Sequence, residues 1–196
     1  MHAGADVVVV DGMQGGTAAT QEGVHRARRH PDAGRGPAGG AGAGRARCPS
    51  EAVQLIVSGG IRTGADVAKA LALGADAVAI GTAALIALGD NHPRYAAEYE
   101  KLGSAAGFFD DFQDGTDPAG ISTQDPELAA RFDPVEGGRR LANYLRVLTM
   151  EAQTIARACG KAHVLHLEPE DLVAVTIEAA AMARVPLAGT DWIPGR

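Results

Sequence analysis

The hydrophobic positions of the chain fall into short apolar runs that end in glycine turns. Such runs occupy residues 7–10, 53–57 and 77–80. They predict strands, and the first, which contains no polar residue, predicts a strand buried on both faces, as in a parallel sheet. Residues 64–74 carry apolar positions at helical spacing and end at glycine, which predicts a helix. Strand, glycine turn, helix and strand in this order predict a βαβ unit.

The second half of the chain has a different pattern. Proline, glycine and asparagine punctuate residues 91–133, which predicts a loop region. Apolar positions regain a helical period over 134–160 and 169–184, which predicts two helices. The expected organisation is thus an α/β part over residues 1–90, a loop region, and a helical extension over 134–196.

Composition narrows the class of protein. The chain has 196 residues, a formal charge of −6 and 46% hydrophobic residues, which excludes a disordered chain. No apolar run is long enough to span a bilayer, and the N-terminus lacks a secretory pattern. Two cysteines, Cys48 and Cys159, make neither a disulfide framework nor a zinc site. We therefore expect a cytoplasmic protein without a metal, and the acidic charge argues against nucleic-acid and membrane partners.

The glycine turns after the second and third strands suggest a binding site. Bare backbone N–H groups at adjacent strand ends form the phosphate sites of (β/α)₈ barrels. Phosphate binding is favoured over glycines that merely make tight turns, because both turns fall at strand ends. The predicted phosphate-binding residues are Ser58, Gly59, Gly60, Gly81 and Thr82.

Residues 58–78 resemble a segment shared by phosphate-binding barrels such as flavin-dependent 2-hydroxy-acid oxidases, IMP dehydrogenase and the FMN-type isopentenyl-diphosphate isomerase. Residues 11–19 and the motif Pro-Ala-Gly-Ile-Ser-Thr-Gln-Asp-Pro-Glu-Leu at 118–128 look like the FMN domain of glutamate synthase. The resemblance implies the C-terminal part of a (β/α)₈ TIM barrel, about three parallel strands, followed by C-terminal helices. Residues 1–90 would then be a partial FMN-binding barrel.

The resemblance also implies an activity and its residues. The five phosphate-binding residues would hold FMN, and Thr123, Gln124 and Asp125 would close the site from below. The chemistry would be reduction of 2-iminoglutarate, formed from 2-oxoglutarate and ammonia, by hydride from reduced FMN. Separate glutaminase-like and structural subunits would complete a homo- or hetero-oligomer. The substrate pocket would be lined by Gln14, Gly15, Gly16, Thr17 and Gln124.

The chain departs from this family at the iron–sulfur cluster. Glutamate synthases place three cluster-binding cysteines where this chain has Ala106, Phe112 and Asp117, so no cluster is expected. The closer resemblance is to stand-alone FMN-binding subunits that lack the cluster. Three alternatives stay open: an N-methylglutamate synthase type that uses methylamine, another FMN or nucleotide barrel, and a truncated inactive remnant or subunit-interaction module.

Residues 23–51 break the pattern of the chain. Residues 22–51 hold six arginines, seven glycines and no lysine, and Val24 is their only large aliphatic residue. We interpret 23–51 as a compensated frameshift, because the shifted frame can encode a strand and an amphipathic helix like those of glutamate synthases. Sequencing the gene across codons 20–53 tests this. The chain also opens at what resembles the sixth barrel strand, so the first two strands would lack covering helices, and we expect no 2-iminoglutarate reduction by the chain alone.

Overall fold

The computed structural model describes residues 5–12, 53–104 and 115–195 of the chain. These form an α/β arrangement of three strands, six α-helices and three short 3₁₀ turns. The strands are β1 (Val7–Asp11), β2 (Gln54–Ser58) and β3 (Ala77–Val78). The helices are α1 (Gly64–Ala72), α2 (Thr82–Leu88), α3 (Ala96–Lys101), α4 (Pro126–Ala129), α5 (Pro134–Ala158) and α6 (Ile177–Ala183). The 3₁₀ turns span Pro93–Tyr95, Val164–His166 and Pro169–Asp171.

The chain divides into two compact units. Of the described residues, 5–12, 53–79 and 148–195 belong to the first unit, and 80–104 and 115–147 belong to the second. The sheet therefore belongs to the first unit, while the 118–128 motif belongs to the second. The segment 23–51, with its frameshift interpretation, lies outside the described residues.

The three strands form one parallel sheet in the order β1-β2-β3, as the sequence predicts. Asp11 pairs with Ser58 at one end of the register, and Val57 pairs with Val78. The third strand is shorter than predicted. Directly before β3, the Asp76 carboxylate accepts the Leu55 N–H at 2.7 Å. A side chain thus extends the hydrogen bonding between β2 and β3. Parallel pairing brings the C-terminal ends of β1 and β2 to one edge of the sheet.

The prediction that β1 is buried on both faces is wrong. Val7 is 44% exposed and Val9 is 61% exposed, while Val8 and Val10 are partly buried. Side chains alternate between the faces of a strand, so one face of β1 is covered and the other meets solvent. This agrees with the separate expectation that the strand would lack a covering helix.

The core of the first unit lies where α1 meets α5. Val67, Leu71 and Ala75 form one buried cluster with Ala152 of α5, and a second cluster joins both helices to Leu167. Helix α1 ends as predicted, because Gly74 adopts a φ of 104° and its N–H bonds the Leu71 carbonyl. A left-handed glycine after the last helical residue is a common helix stop.

The second predicted C-terminal helix is wrong over its first half, whereas α5 follows the prediction closely. Between 169 and 184 only Ile177–Ala183 is α-helical. The first turn is a 3₁₀ turn, in which the Asp171 carboxylate accepts the Glu168 N–H at 2.9 Å. The chain then becomes extended, and Ala174 forms a β-bridge with Leu187. Valines flank Ala174, and β-branched residues favour the extended backbone.

The predicted loop region over 91–133 is also partly wrong, because it contains α3, α4 and a 3₁₀ turn. Tyr95 and Tyr99 are 5% and 3% exposed and pack with Ala119 in the core of the second unit. Their four-residue spacing places both rings on one side of the α3 turn. Within the described ranges, no helix is long and apolar enough to cross a membrane.

Candidate functional site

The turn that follows β2 presents uncommitted backbone donors. Gly59 and Gly60 have φ values of 94° and 76°, in the left-handed region that favours glycine. Among the described residues, their N–H groups donate no hydrogen bond. A turn with free N–H groups at the C-terminal end of a parallel strand suits an anion.

The start of the next helix, by contrast, already has its acceptors. Thr63 and Asp66 form a reciprocal capping box at the first turn of α1. The Glu151 carboxylate, from α5, accepts the Gly64 N–H at 2.7 Å. Partial burial raises the pKa of Asp66, but the Thr63 hydroxyl, the Arg62 and Thr63 N–H groups and Lys69 outweigh it, so the pKa lies below its usual value. The glycine turn, not the helix start, therefore remains open to an external anion.

Helix α5 supports α1 directly behind the glycine turn. A Cβ at Gly64 would lie 2.4 Å from the Leu148 carbonyl oxygen and 2.6 Å from the Ala152 nitrogen. Only glycine permits so close an approach between the two helix backbones. The first residue of α1 is thus fixed both by shape and by the Glu151 hydrogen bond.

The end of β1 meets the same sheet edge. Asp11 pairs with Ser58, and the Gly12 N–H donates to the Ser58 carbonyl at 2.8 Å. The chain leaving Gly12 leads to the predicted substrate-pocket residues. Those residues lie outside the described part of the chain, so their role stays a prediction: Gln14, Gly15, Gly16 and Thr17.

Gly81 and Thr82 belong to the second unit, where they begin α2. Both are exposed, Gly81 has no side-chain cap, and no atom lies within 4 Å of the position of a Cβ there. Their predicted partnership with Gly59 and Gly60 remains a prediction.

A second turn, at 117–122, gathers several N–H groups around one carboxylate. Asp117 is 2% exposed. It accepts the N–H groups of Ala119 at 3.0 Å, Ile121 at 2.8 Å and Ser122 at 2.6 Å. Gly120 has a φ of 75°, and a Cβ there would lie 2.1 Å from the Leu128 carbonyl oxygen. These contacts explain why the motif has glycine at this position.

A buried tyrosine completes this network. The Tyr99 hydroxyl lies 2.5 Å from Asp90 Oδ1 and 3.0 Å from Asp117 Oδ1. Burial, the hydrogen bond to Asp90 and the charge of Asp117 raise the pKa of Tyr99 far above its usual value. Sequence reasoning missed this network. No pattern in the sequence indicated it.

The three motif residues predicted near the substrate have different environments. The Thr123 hydroxyl donates to the Gly115 carbonyl. Asp125 caps α4 by accepting the Glu127 and Leu128 N–H groups at 2.8 and 3.0 Å. Gln124 is exposed, and its side chain makes no hydrogen bond within the described part of the chain. Of the three side chains, that of Gln124 is the one available to a ligand.

The residues that the structure describes contain no group of three or more His, Cys, Asp or Glu side chains arranged to hold a metal ion.

A parallel sheet with an open glycine turn at its carboxyl edge defines the chain as an α/β protein with a candidate anion site. Residues 1–96 and 113–162 match the family described as the conserved region in glutamate synthase. The chain belongs to the glutamate synthase family.

Individual relatives agree with this assignment. The glutamate synthase large subunit-like protein of Rhizobium meliloti (strain 1021) is 66% identical over 208 residues, covering 100% of this chain and 44% of that protein. The archaeal glutamate synthase [NADPH] of Methanocaldococcus jannaschii is 40% identical, covering 80% of this chain and 27% of that protein. The archaeal-type enzyme of Thermotoga neapolitana is 37% identical, covering 82% and 28%. The chain spans less than half the length of these relatives, and no solved structure matches it.

Proposed function

We propose that this chain is part of an FMN-dependent, glutamate-synthase-type oxidoreductase that reduces 2-iminoglutarate to glutamate. Its sheet would be part of a (β/α)₈ barrel. The observation that carries the proposal is the turn after β2, at the carboxyl edge of a parallel sheet, where the N–H groups of Gly59 and Gly60 donate to no acceptor in the described part of the chain. Family membership supports the same conclusion.

The residues of the turn fit the phosphate of FMN. Positive φ angles at Gly59 and Gly60 hold the backbone in a conformation that lets an oxyanion approach the two N–H groups. FMN, when bound, would supply the hydride. This chain would supply N–H donors from the two glycine turns, together with the Ser58 and Thr82 hydroxyls.

The substrate side of the proposal rests on the motif residues. Gln124 would contribute to the substrate pocket. An amide side chain can donate to a substrate carboxylate without adding charge to the site. The protein would thus orient 2-iminoglutarate and leave the redox step to the cofactor.

An iron–sulfur cluster does not fit this chain. Cluster ligation requires thiolates, and the position matched to one of the three cysteines is Asp117. The oxygens of that carboxylate already accept three backbone N–H groups and contact a phenol hydroxyl. We propose that electrons reach FMN without a cluster on this chain.

Partners and location follow from the family and are part of the proposal. Glutaminase-like and structural functions would reside on separate subunits in the cytoplasm. A second candidate is a subunit-interaction module without flavin chemistry, and the exposed side chains of Val7 and Val9 favour it, because β1 presents an uncovered apolar strip.

Comparing FMN with riboflavin, which lacks the phosphate, tests the proposed site. In the full-length protein we expect FMN to bind more tightly than riboflavin, and we expect Gly60→Val to reduce this difference by about 2 kcal/mol, roughly 30-fold. Gly189→Val is the matched control, because Gly189 has a φ of 77° and nothing within 4 Å of its Cβ position. Equal affinity for the two flavins would contradict the phosphate site and favour the interaction module.

A further inference from the structure

The carboxylate of Asp117 is the acceptor around which the 117–122 turn is built. Oδ1 accepts the Ala119 N–H, and Oδ2 accepts the N–H groups of Ile121 and Ser122. The three donors lie on both sides of Gly120. One buried anion therefore determines the path of the backbone on both sides of the glycine.

Two further contacts hold this turn within the second unit. The Tyr99 hydroxyl lies 3.0 Å from Asp117 Oδ1 and orients the carboxylate from α3. Arg131 donates to the Pro118 carbonyl at 3.2 Å and to Glu98 at 2.8 Å. The turn is thus anchored at its carboxylate and at its first carbonyl.

The chain leaving this turn carries the exposed amide of Gln124. Only Thr123 separates the last donor, Ser122, from Gln124, and the Thr123 hydroxyl donates to the Gly115 carbonyl. Asp125 then starts α4. Gln124 is therefore held between two fixed points, and the first of them depends on Asp117.

We propose that Asp117 is a positioning residue, whose buried carboxylate sets the backbone of the 117–122 turn and through it the location of the Gln124 side chain. The part assigned to Gln124 in substrate contact rests on the proposed function. The positioning itself does not, because it follows from contacts within the second unit.

Asp117→Asn tests the proposal, measured on the whole chain by NMR. An amide keeps one acceptor oxygen and loses the other, so we expect amide exchange at Ile121 and Ser122, or at Ala119, to accelerate by at least about tenfold. The side-chain NH₂ resonances of Gln124 should shift at the same time. Unchanged Gln124 resonances, or unchanged protection at all three amides, would overturn the proposal.

A matched control separates positioning from general stability. Asp133 is another capping carboxylate of the second unit, accepting the N–H groups of Val135 and Glu136 at 2.9 and 3.2 Å. Asp133→Asn should affect the start of α5 and leave the Gln124 resonances in place. A Gln124 shift of equal size in both variants would mean that Asp117 merely adds stability, and the proposal would fail.

Chemical rescue covers the case in which the turn collapses. Asp117→Gly removes the carboxylate and leaves its donors facing a small space, which added formate should occupy. We expect formate to restore amide protection at Ile121 and Ser122 saturably, while chloride at the same ionic strength does not. Absence of rescue would overturn the proposal. None of these readouts requires FMN, so a failure of flavin binding would reject the proposed function alone.

Discussion

Two turns of this protein gather backbone N–H groups and use them differently. At Gly59 and Gly60 the backbone N–H groups donate no hydrogen bond among the described residues, whereas the turn at 117–122 gives three donors to its own Asp117. The start of α1 resembles the second case, because Glu151 and Asp66 occupy it. The presence or absence of an internal carboxylate thus distinguishes the turn at 117–122 from the glycine turn.

The largest expected effect is the absence of stoichiometric flavin binding and of catalysis when the chain is tested by itself. We expect the chain by itself to bind anions weakly and to show no 2-iminoglutarate reduction, because β1 leaves Val7 and Val9 exposed and the sheet incompletely covered. The measurement is gel filtration with excess FMN, followed by the absorbance spectrum and urea unfolding. Stoichiometric flavin with cooperative unfolding and turnover would show that the chain completes its own site.

The closed turn should be sensitive to loss of its anion. Asp117→Ala leaves one buried and two partly buried N–H groups and the Tyr99 hydroxyl without this acceptor, so we expect the free energy of unfolding to fall by on the order of 4 kcal/mol. Ser58→Ala in the open turn should change it by less than about 0.5 kcal/mol, because the Ser58 hydroxyl makes no hydrogen bond within the described residues. Urea unfolding of both variants measures the difference. Similar losses of stability in the two variants would contradict the proposed difference between the two turns.

The support behind the open turn can be tested through shape. Gly64→Ala would place a Cβ 2.4 Å from the Leu148 carbonyl oxygen, so we expect a loss of about 2–3 kcal/mol. Gly138→Ala is the matched control within α5, because nothing lies within 4 Å of its Cβ position, and it should stabilise the helix by up to about 1 kcal/mol. Thermal unfolding of the two variants measures the expected loss of stability and the expected gain. Tolerance of Gly64→Ala would show that α5 is not held against α1.

The smallest effect is a pH dependence of the closed turn. The pKa of Tyr99 is raised in the folded protein, so the stability from its protonated hydroxyl is complete below the unfolded pKa of about 10 and is lost as the pH rises toward the folded pKa. Above the unfolded pKa, the free energy of unfolding should fall by up to about 1.4 kcal/mol per pH unit. Tyr99→Phe should remove this component of the alkaline slope. A slope identical in both proteins would contradict the buried hydrogen-bonded tyrosine.

Local sequence signals predicted the elements that depend on near neighbours. The parallel strands followed from apolar runs with glycine at their ends. Helices α1 and α5 followed from periodic apolar positions and from a C-terminal glycine, and Gly160, with a φ of 74°, ends α5 in the same way as Gly74 ends α1. The exposure of one face of β1 was not predicted, because a run of valines does not indicate whether other elements cover both faces of the strand.

The network of Asp90, Tyr99 and Asp117 was not predictable from pattern. Its members are separated by 9 and 18 residues along the chain and share no period. The helix predicted from residue 169 was wrong for a local reason: Thr176 caps α6 by accepting the Ala179 N–H at 3.1 Å, and this signal for a later start was overlooked.

Asp117 also bears on the conditions under which the protein keeps its shape. A thiolate in a buried turn can be oxidised, and a cluster-bound turn depends on the supply of iron. The 117–122 turn is held by a carboxylate, a phenol and backbone amides, none of which changes its redox state with oxygen. The turn next to Gln124 is therefore held by groups that do not respond to the redox state of their surroundings.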